Sequence, residues 1–64
     1  MILLTRLNSK PVVLNAELIK MIESTPDTLI TLINGEHMMV RETVEEVVER
    51  AIDFARRIRS FQVV

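Results

Sequence analysis

Two turn signals and a helix start follow one another inside residues 22–50, and they limit what this chain can become. Thr25-Pro26-Asp27-Thr28 fits a type I turn, with proline fixing φ near −65° at its second position. Asn34-Gly35 is the strongest short hairpin signal, because both residues tolerate the positive φ of a type I′ turn. Thr43 and Glu46 then stand three residues apart before an apolar-periodic run, the spacing of a capping box. The order is therefore strand, turn, strand, hairpin turn, strand, helix.

The rest of the chain adds strands to that unit. Residues 2–7 carry Ile and Leu without helical spacing and read as a strand. Asn8-Ser9-Lys10-Pro11 breaks it, and residues 11–14 form a short second strand. Asn15 is placed to cap a turn or single helical turn at residues 15–17, and residues 18–24 read as a third strand. The expected fold is α+β: a small, mostly antiparallel β-sheet of about five short strands over residues 2–41, packed by one C-terminal α-helix over residues 43–60. All 64 residues belong to this single domain.

An echo runs through the chain at an offset of 26 residues. Thr5-Arg6-Leu7-Asn8-Ser9 aligns with Thr31-Leu32-Ile33-Asn34-Gly35, and Val12-Val13-Leu14 with Met38-Met39-Val40. Similar turns need similar residues, so the echo is read as recurring turn chemistry rather than duplication, and it marks Asn8-Ser9 as a hairpin turn.

Size makes stability the next question. A domain this short buries only about 60% of the surface its unfolded chain exposes. Without cysteine there are no disulfides, and the single histidine, His37, argues against a histidine metal site. Association is the remaining source of stability. The patterning agrees. Alternation about a two-residue Asn34-Gly35 turn puts Leu29, Thr31, Ile33, Met38 and Val40 on one sheet face. Ile30, Leu32, His37, Met39 and Arg41 take the other, so both faces are apolar. The helix has a wide apolar arc of Val44, Val48, Ala51, Ile52, Ala55 and Ile58, extended by Val47, Phe54 and Phe61. One helix covers one face, which leaves the other to curl on itself or to meet another chain. Self-association is expected.

Function classes narrow in the same way. His37 has no accompanying nucleophile or second base, so no catalytic residues are assigned and the chain is read as no enzyme. Glu42, Glu45, Glu46 and Glu49 suit the first turns of a helix, as Arg56, Arg57 and Arg59 suit its end, through the helix dipole. A net charge of −1, with no aromatics interleaved among basic residues, argues against nucleic acid as a partner. The apolar start is interrupted by Arg6 and Lys10 far short of the ~20 residues a membrane span needs. With no basic region before that start, no signal peptide and a cytoplasmic protein are expected. Met38 and Met39 with Met21 read as core filling rather than an adaptable surface. The candidate partner-binding residues are the uncovered sheet face, Ile30, Leu32, Met39 and Arg41, and the basic helix end, Arg56, Arg57 and Arg59.

One longer pattern combines these pieces. Leu-Thr-Arg-Leu-Asn at residues 4–8, Val-Leu-Asn at 13–15 and Ile-Glu-Ser-Thr-Pro-Asp-Thr-Leu-Ile-Thr-Leu-Ile-Asn-Gly at 22–35 stand in order. Val-Arg-Glu at 40–42 and Glu-Val-Val-Glu-Arg at 46–50 complete the set. The whole resembles the FlbD family of small flagellar proteins over about residues 1–50. Ser9 departs from the family pattern, which reads Asn-Gly at the first turn as at the second. The resemblance implies a cytoplasmic accessory protein of bacterial flagellar and swarming motility, without enzymatic activity or cofactor. It further implies a role in supporting motor output, with a flagellar motor or stator protein as partner. The alternative from another class is a small nucleic-acid-binding regulator of flagellar genes, because a run of strands closed by one helix is similar to the LytTR-type DNA-binding domain.

Overall fold

A computed structural model of the chain describes residues 1–62, with side chains through Arg57. Five strands precede one helix: β1 (Ile2–Thr5), β2 (Pro11–Leu14), β3 (Ile19–Ser24), β4 (Thr28–Leu32), β5 (His37–Val40) and α1 (Val44–Gln62). A 3₁₀ turn, Ala16–Leu18, separates β2 from β3, and the Asn15 side chain caps it by accepting from the Glu17 amide. The fold is α+β, as the turn order requires.

Every strand pairing is antiparallel, but the strands divide into a two-stranded sheet, β1-β2, and a three-stranded sheet, β3-β4-β5. They meet where Arg6 bridges Val40 and the Arg41 amide donates to the Thr5 carbonyl at 2.8 Å. β1 thus runs beside β5, and the sheets curl around a common interior. Ile2 and Leu4 of β1, Leu14 of β2, Ile30 and Leu32 of β4, Val40 of β5 and Val47 of α1 fill it. Truncating a fully buried Leu4 or Ile30 to alanine is of the class that costs about 2–5 kcal/mol.

The hairpin at Asn34-Gly35 differs from expectation. Leu32 and Glu36 close the loop, with the Leu32 amide donating to the Glu36 carbonyl and the Gly35 amide to the Leu32 carbonyl. Three residues form the connection, and Gly35 alone has positive φ, at 90°. This is a type I turn followed by a left-handed residue, not the two-residue type I′ turn. The change shifts the register by one residue: Ile30 lies opposite Met38 and Thr28 opposite Val40. Cross-strand partners share a face, so Met38 and Val40 join Ile30 and Leu32 inside. Ile30 and Leu32, assigned above to an uncovered face, are 0% and 8% exposed.

The first hairpin repeats this geometry. The Arg6 amide donates to the Lys10 carbonyl, the Ser9 amide to the Arg6 carbonyl, and Ser9 has φ of 71°. Asn8 and Asn34 each accept from the backbone amide two residues on, at 3.0 Å. The correspondence runs through the strands as well: Leu4 and Ile30 are fully buried, and Leu14 and Val40 close the inner face of each hairpin.

The connection between β3 and β4 also departs from a type I turn at residues 25–28. Thr28 is already in β4, paired with Ser24 and Val40. The Thr25 amide donates to the Asp27 carbonyl, and the Ser24 hydroxyl to the Pro26 carbonyl.

The capping box forms as the spacing requires. The Glu46 amide donates to Thr43 Oγ1 and the Thr43 amide to Glu46 Oε1, both at 3.1 Å. From this start α1 lays Val47 into the core, with Phe54 packed against it. The helix packs on β1 and β3. Val48 and Ile52, counted above in the same apolar arc, are exposed. Ile58 and Phe61 of that arc lie outside the described side chains.

A serine held at positive φ carries backbone strain that glycine does not. Ser9→Gly should therefore raise stability by about 0.5–1 kcal/mol, the relief of strain exceeding glycine's larger unfolded-state entropy. A Cβ at Gly35 meets nothing within 4 Å, so Gly35→Ala isolates the backbone cost. It should lower stability by about 1–2 kcal/mol. Urea unfolding midpoints measure both, and equal midpoints for all three proteins would contradict the φ argument.

Candidate interaction surfaces

The outer face of β3-β4-β5 carries Met21, Glu23, Leu29, Thr31, His37 and Met39. Register places Leu29 between Glu23 and Met39, and Thr31 between Met21 and His37. Met21 and Met39 are exposed, while Leu29 and Thr31 are half-buried. Thr31 Oγ1 and His37 Nδ1 lie 3.2 Å apart, within hydrogen-bond distance. Met21 and Met39 therefore share a solvent face, whereas Met38 fills the core. Core filling, expected above for all three, thus holds for Met38 and not for Met21 and Met39, and the neighbour of Met39 on the exposed face is Leu29 in place of Ile30. Soft, unbranched methionine suits a surface that adapts to a partner.

Arg41, the next outward position after Met39, is exposed but engaged. Its guanidinium donates to the Leu7 carbonyl at 2.8 Å and ties the first hairpin's tip to the second sheet. At the helix end, Arg57 pairs with Asp53 one turn earlier at 3.1 Å. Arg56 is exposed and makes no ion pair among the described residues. The Arg59 side chain lies outside them. The candidate partner residues are thus dispersed: two in the core, one on the methionine face, one bracing a hairpin, and two on the helix. A further apolar pair, Leu3 opposite Val13 on the outer face of β1-β2, was not singled out from the sequence. Its signal was the strand alternation itself, since Ile2 and Leu4 inside require Leu3 outside.

The most specific polar arrangement lies along β1's second edge. Thr5 donates its amide to Glu42 Oε1 at 2.9 Å. Arg50 donates through one guanidinium nitrogen to the Leu3 carbonyl at 2.7 Å and to Glu42 Oε2 at 3.3 Å. The Glu42 side chain is 10% exposed and that of Arg50 42%. Burial pushes the Glu42 carboxyl up, but hydrogen bonds from Thr5, from its own amide and from Arg50 outweigh that and hold it below its ordinary value of 4.5.

No group of three His, Cys, Asp or Glu residues among those described has the geometry to hold a metal ion. No described helix is long and apolar enough to cross a membrane. What the fold and its sites define is a small α+β module with solvent-facing apolar patches on two sheets and a helix. The FlbD family, described as flagellar and swarming motility proteins, matches residues 1–59, and the chain belongs to that family. Curated proteins and solved structures give no match.

The Glu42 clamp predicts a specific pH dependence. Its folded carboxyl titrates below 4.5, so its contribution is full above that value and is lost as pH falls through the folded pKa. Glu42→Gln keeps an oxygen for the Thr5 amide but no charge for Arg50. At pH 7 it should lose up to about 1 kcal/mol, and the gap to wild type should close on acidification. Glu42→Ala leaves the Thr5 amide without its acceptor and should cost about 1–3 kcal/mol across the range. Denaturation curves from pH 7 to pH 3 measure these differences, and a pH-independent gap for Glu42→Gln would remove the charge from the account.

Proposed function

We propose that this protein is a non-enzymatic accessory of flagellar and swarming motility, acting in the cytoplasm through protein–protein contacts that support motor output. Family membership over residues 1–59 carries the motility assignment. The contact mode is supported by the surfaces: polar residues are spent on turns, caps and the β1 edge, while apolar side chains remain in solvent. The outer sheet face of Met21, Leu29 and Met39 is the site we assign to the motor partner, a stator component, and the basic helix end is a separate contact surface. Self-association belongs to the same reading, because a chain of this size gains stability from it.

The test is motor torque under high load in cells with and without this gene, with flagella counted in parallel. Deletion should lower torque and leave flagellar number unchanged. Complementation with Met21→Lys/Met39→Lys, or with Arg56→Glu/Arg57→Glu, should leave torque low although the protein is folded and present. Normal torque with fewer flagella would sink motor support and favour assembly or gene control. Salt-sensitive DNA binding by the purified protein would then identify a regulator.

A further inference from the structure

Val48 and Ile52 stand one turn apart on α1, and Ala55 follows three residues on, so the three form a short stripe along the helix. They are turned away from the Val47–Phe54 seam. Val48 and Ile52 are 39% and 47% exposed, and Ala55 is exposed. Among the described residues, none of the three belongs to the core or packs against it. Valine and isoleucine are mediocre helix formers, and an exposed helix position is better filled by glutamate, lysine or alanine.

The charges beside this stripe are ordered. Glu45 and Glu49 border its first half and Arg56 its second, and none of the three has an ion-pair partner among the described residues. Asp53 and Arg57, by contrast, already neutralise each other on the same helix. A helix with unpaired acid first and unpaired base later, along one apolar edge, is complementary to its own reversed copy.

We infer that α1 pairs antiparallel with α1 of a second copy of this chain, about a two-fold axis at Ile52. Ile52 then meets Ile52 of the other copy. Val48 faces Ala55, setting a large side chain against a small one. Glu49 faces Arg56, and the symmetry makes that contact twice. Helix axes separated by about 8–10 Å accommodate side chains of this size. A parallel arrangement would leave Glu49 and Arg56 about 10 Å apart along the axis, so neither would meet its opposite charge, and the charges choose the direction. This names the surface and geometry for the self-association proposed above and rests on that reading.

The experiment is charge reversal, read by sedimentation equilibrium, with circular dichroism confirming an unchanged fold. Wild type should be a concentration-dependent dimer. Glu49→Arg alone and Arg56→Glu alone should each weaken it about tenfold or more, since each substitution sets like charges together twice. Mixing the two variants should restore association as a heterodimer, and the double variant Glu49→Arg/Arg56→Glu should recover it as a homodimer. Ile52→Asp should abolish it. A wild type that stays monomeric at high concentration overturns self-association altogether. A wild-type dimer indifferent to both reversals overturns the helix pairing and leaves self-association standing at another surface.

Discussion

Everything in this fold depends on how the second edge of β1 is closed. One edge pairs with β2 along its length. The other would meet water or another chain if left open, and the chain after Val40 has too few residues to pair it before turning into the helix. The solution is composite. The Arg41 amide satisfies the Thr5 carbonyl, the Glu42 carboxylate receives the Thr5 amide, and the Arg50 guanidinium reaches the Leu3 carbonyl. Two side chains do what a neighbouring strand would have done. The ion pair between them is partly solvated and is worth little by itself. The larger effect is that β1's amide and carbonyls are not left unpaired. Because Arg50 is on the helix and Glu42 sits just before it, the same contacts fix how α1 lies against β1, and Val47 enters the core as a consequence.

Much of the local chemistry was readable in the sequence where a contact closes within a few residues, the Thr25–Thr28 connection excepted. The Thr43–Glu46 capping box, the Asn15 cap, the five strands and the helix start all belong to this class. The hairpin register was not legible from Asn34-Gly35 alone, because that pair serves a two-residue loop and a three-residue loop equally well. The difference is one residue, and in a β-sheet one residue changes every cross-strand partner. Two signals favoured the longer loop. Ser9, aligned with Gly35, suits a turn with one left-handed position better than a turn with two. The longer loop also sorts the strands better, gathering Ile30, Leu32, Met38 and Val40 on one face and leaving Thr31, His37 and Arg41 with Leu29 and Met39 on the other. Choosing the more amphipathic register would have kept Ile30 and Leu32 off the candidate surface.

The β1 edge clamp was invisible for a different reason. Glu42 and Thr5 are 37 residues apart, and Arg50 and Leu3 are 47 apart. Periodicity carries no information at that distance, and helix-dipole chemistry already accounted for an acid at the helix start. The need was inferable, since a short β1 has two edges, but the residues that meet it become evident only once β1 lies beside β5.

The exposed apolar residues are not equivalent. Leu3 and Val13 are directly opposite each other, as are Leu29 and Met39, and such pairs stabilise the hairpins that carry them. Those residues have an intramolecular reason to be apolar. Met21, opposite Thr31, has a weaker one, and Val48 and Ile52 have none among the described residues, since they sit on a helix whose core seam runs along another side. The residues least explained by folding are thus the ones the proposed contacts use. They also lie on different elements, so covering one surface need not cover the other. In the proposed antiparallel helix pair, each copy would keep its Met21–Met39 face. One assembly would then offer two such faces, and a partner with repeated subunits would bind both with an affinity that neither face supplies alone. For a module whose single face is small, that multiplication would turn a weak apolar contact into a stable one.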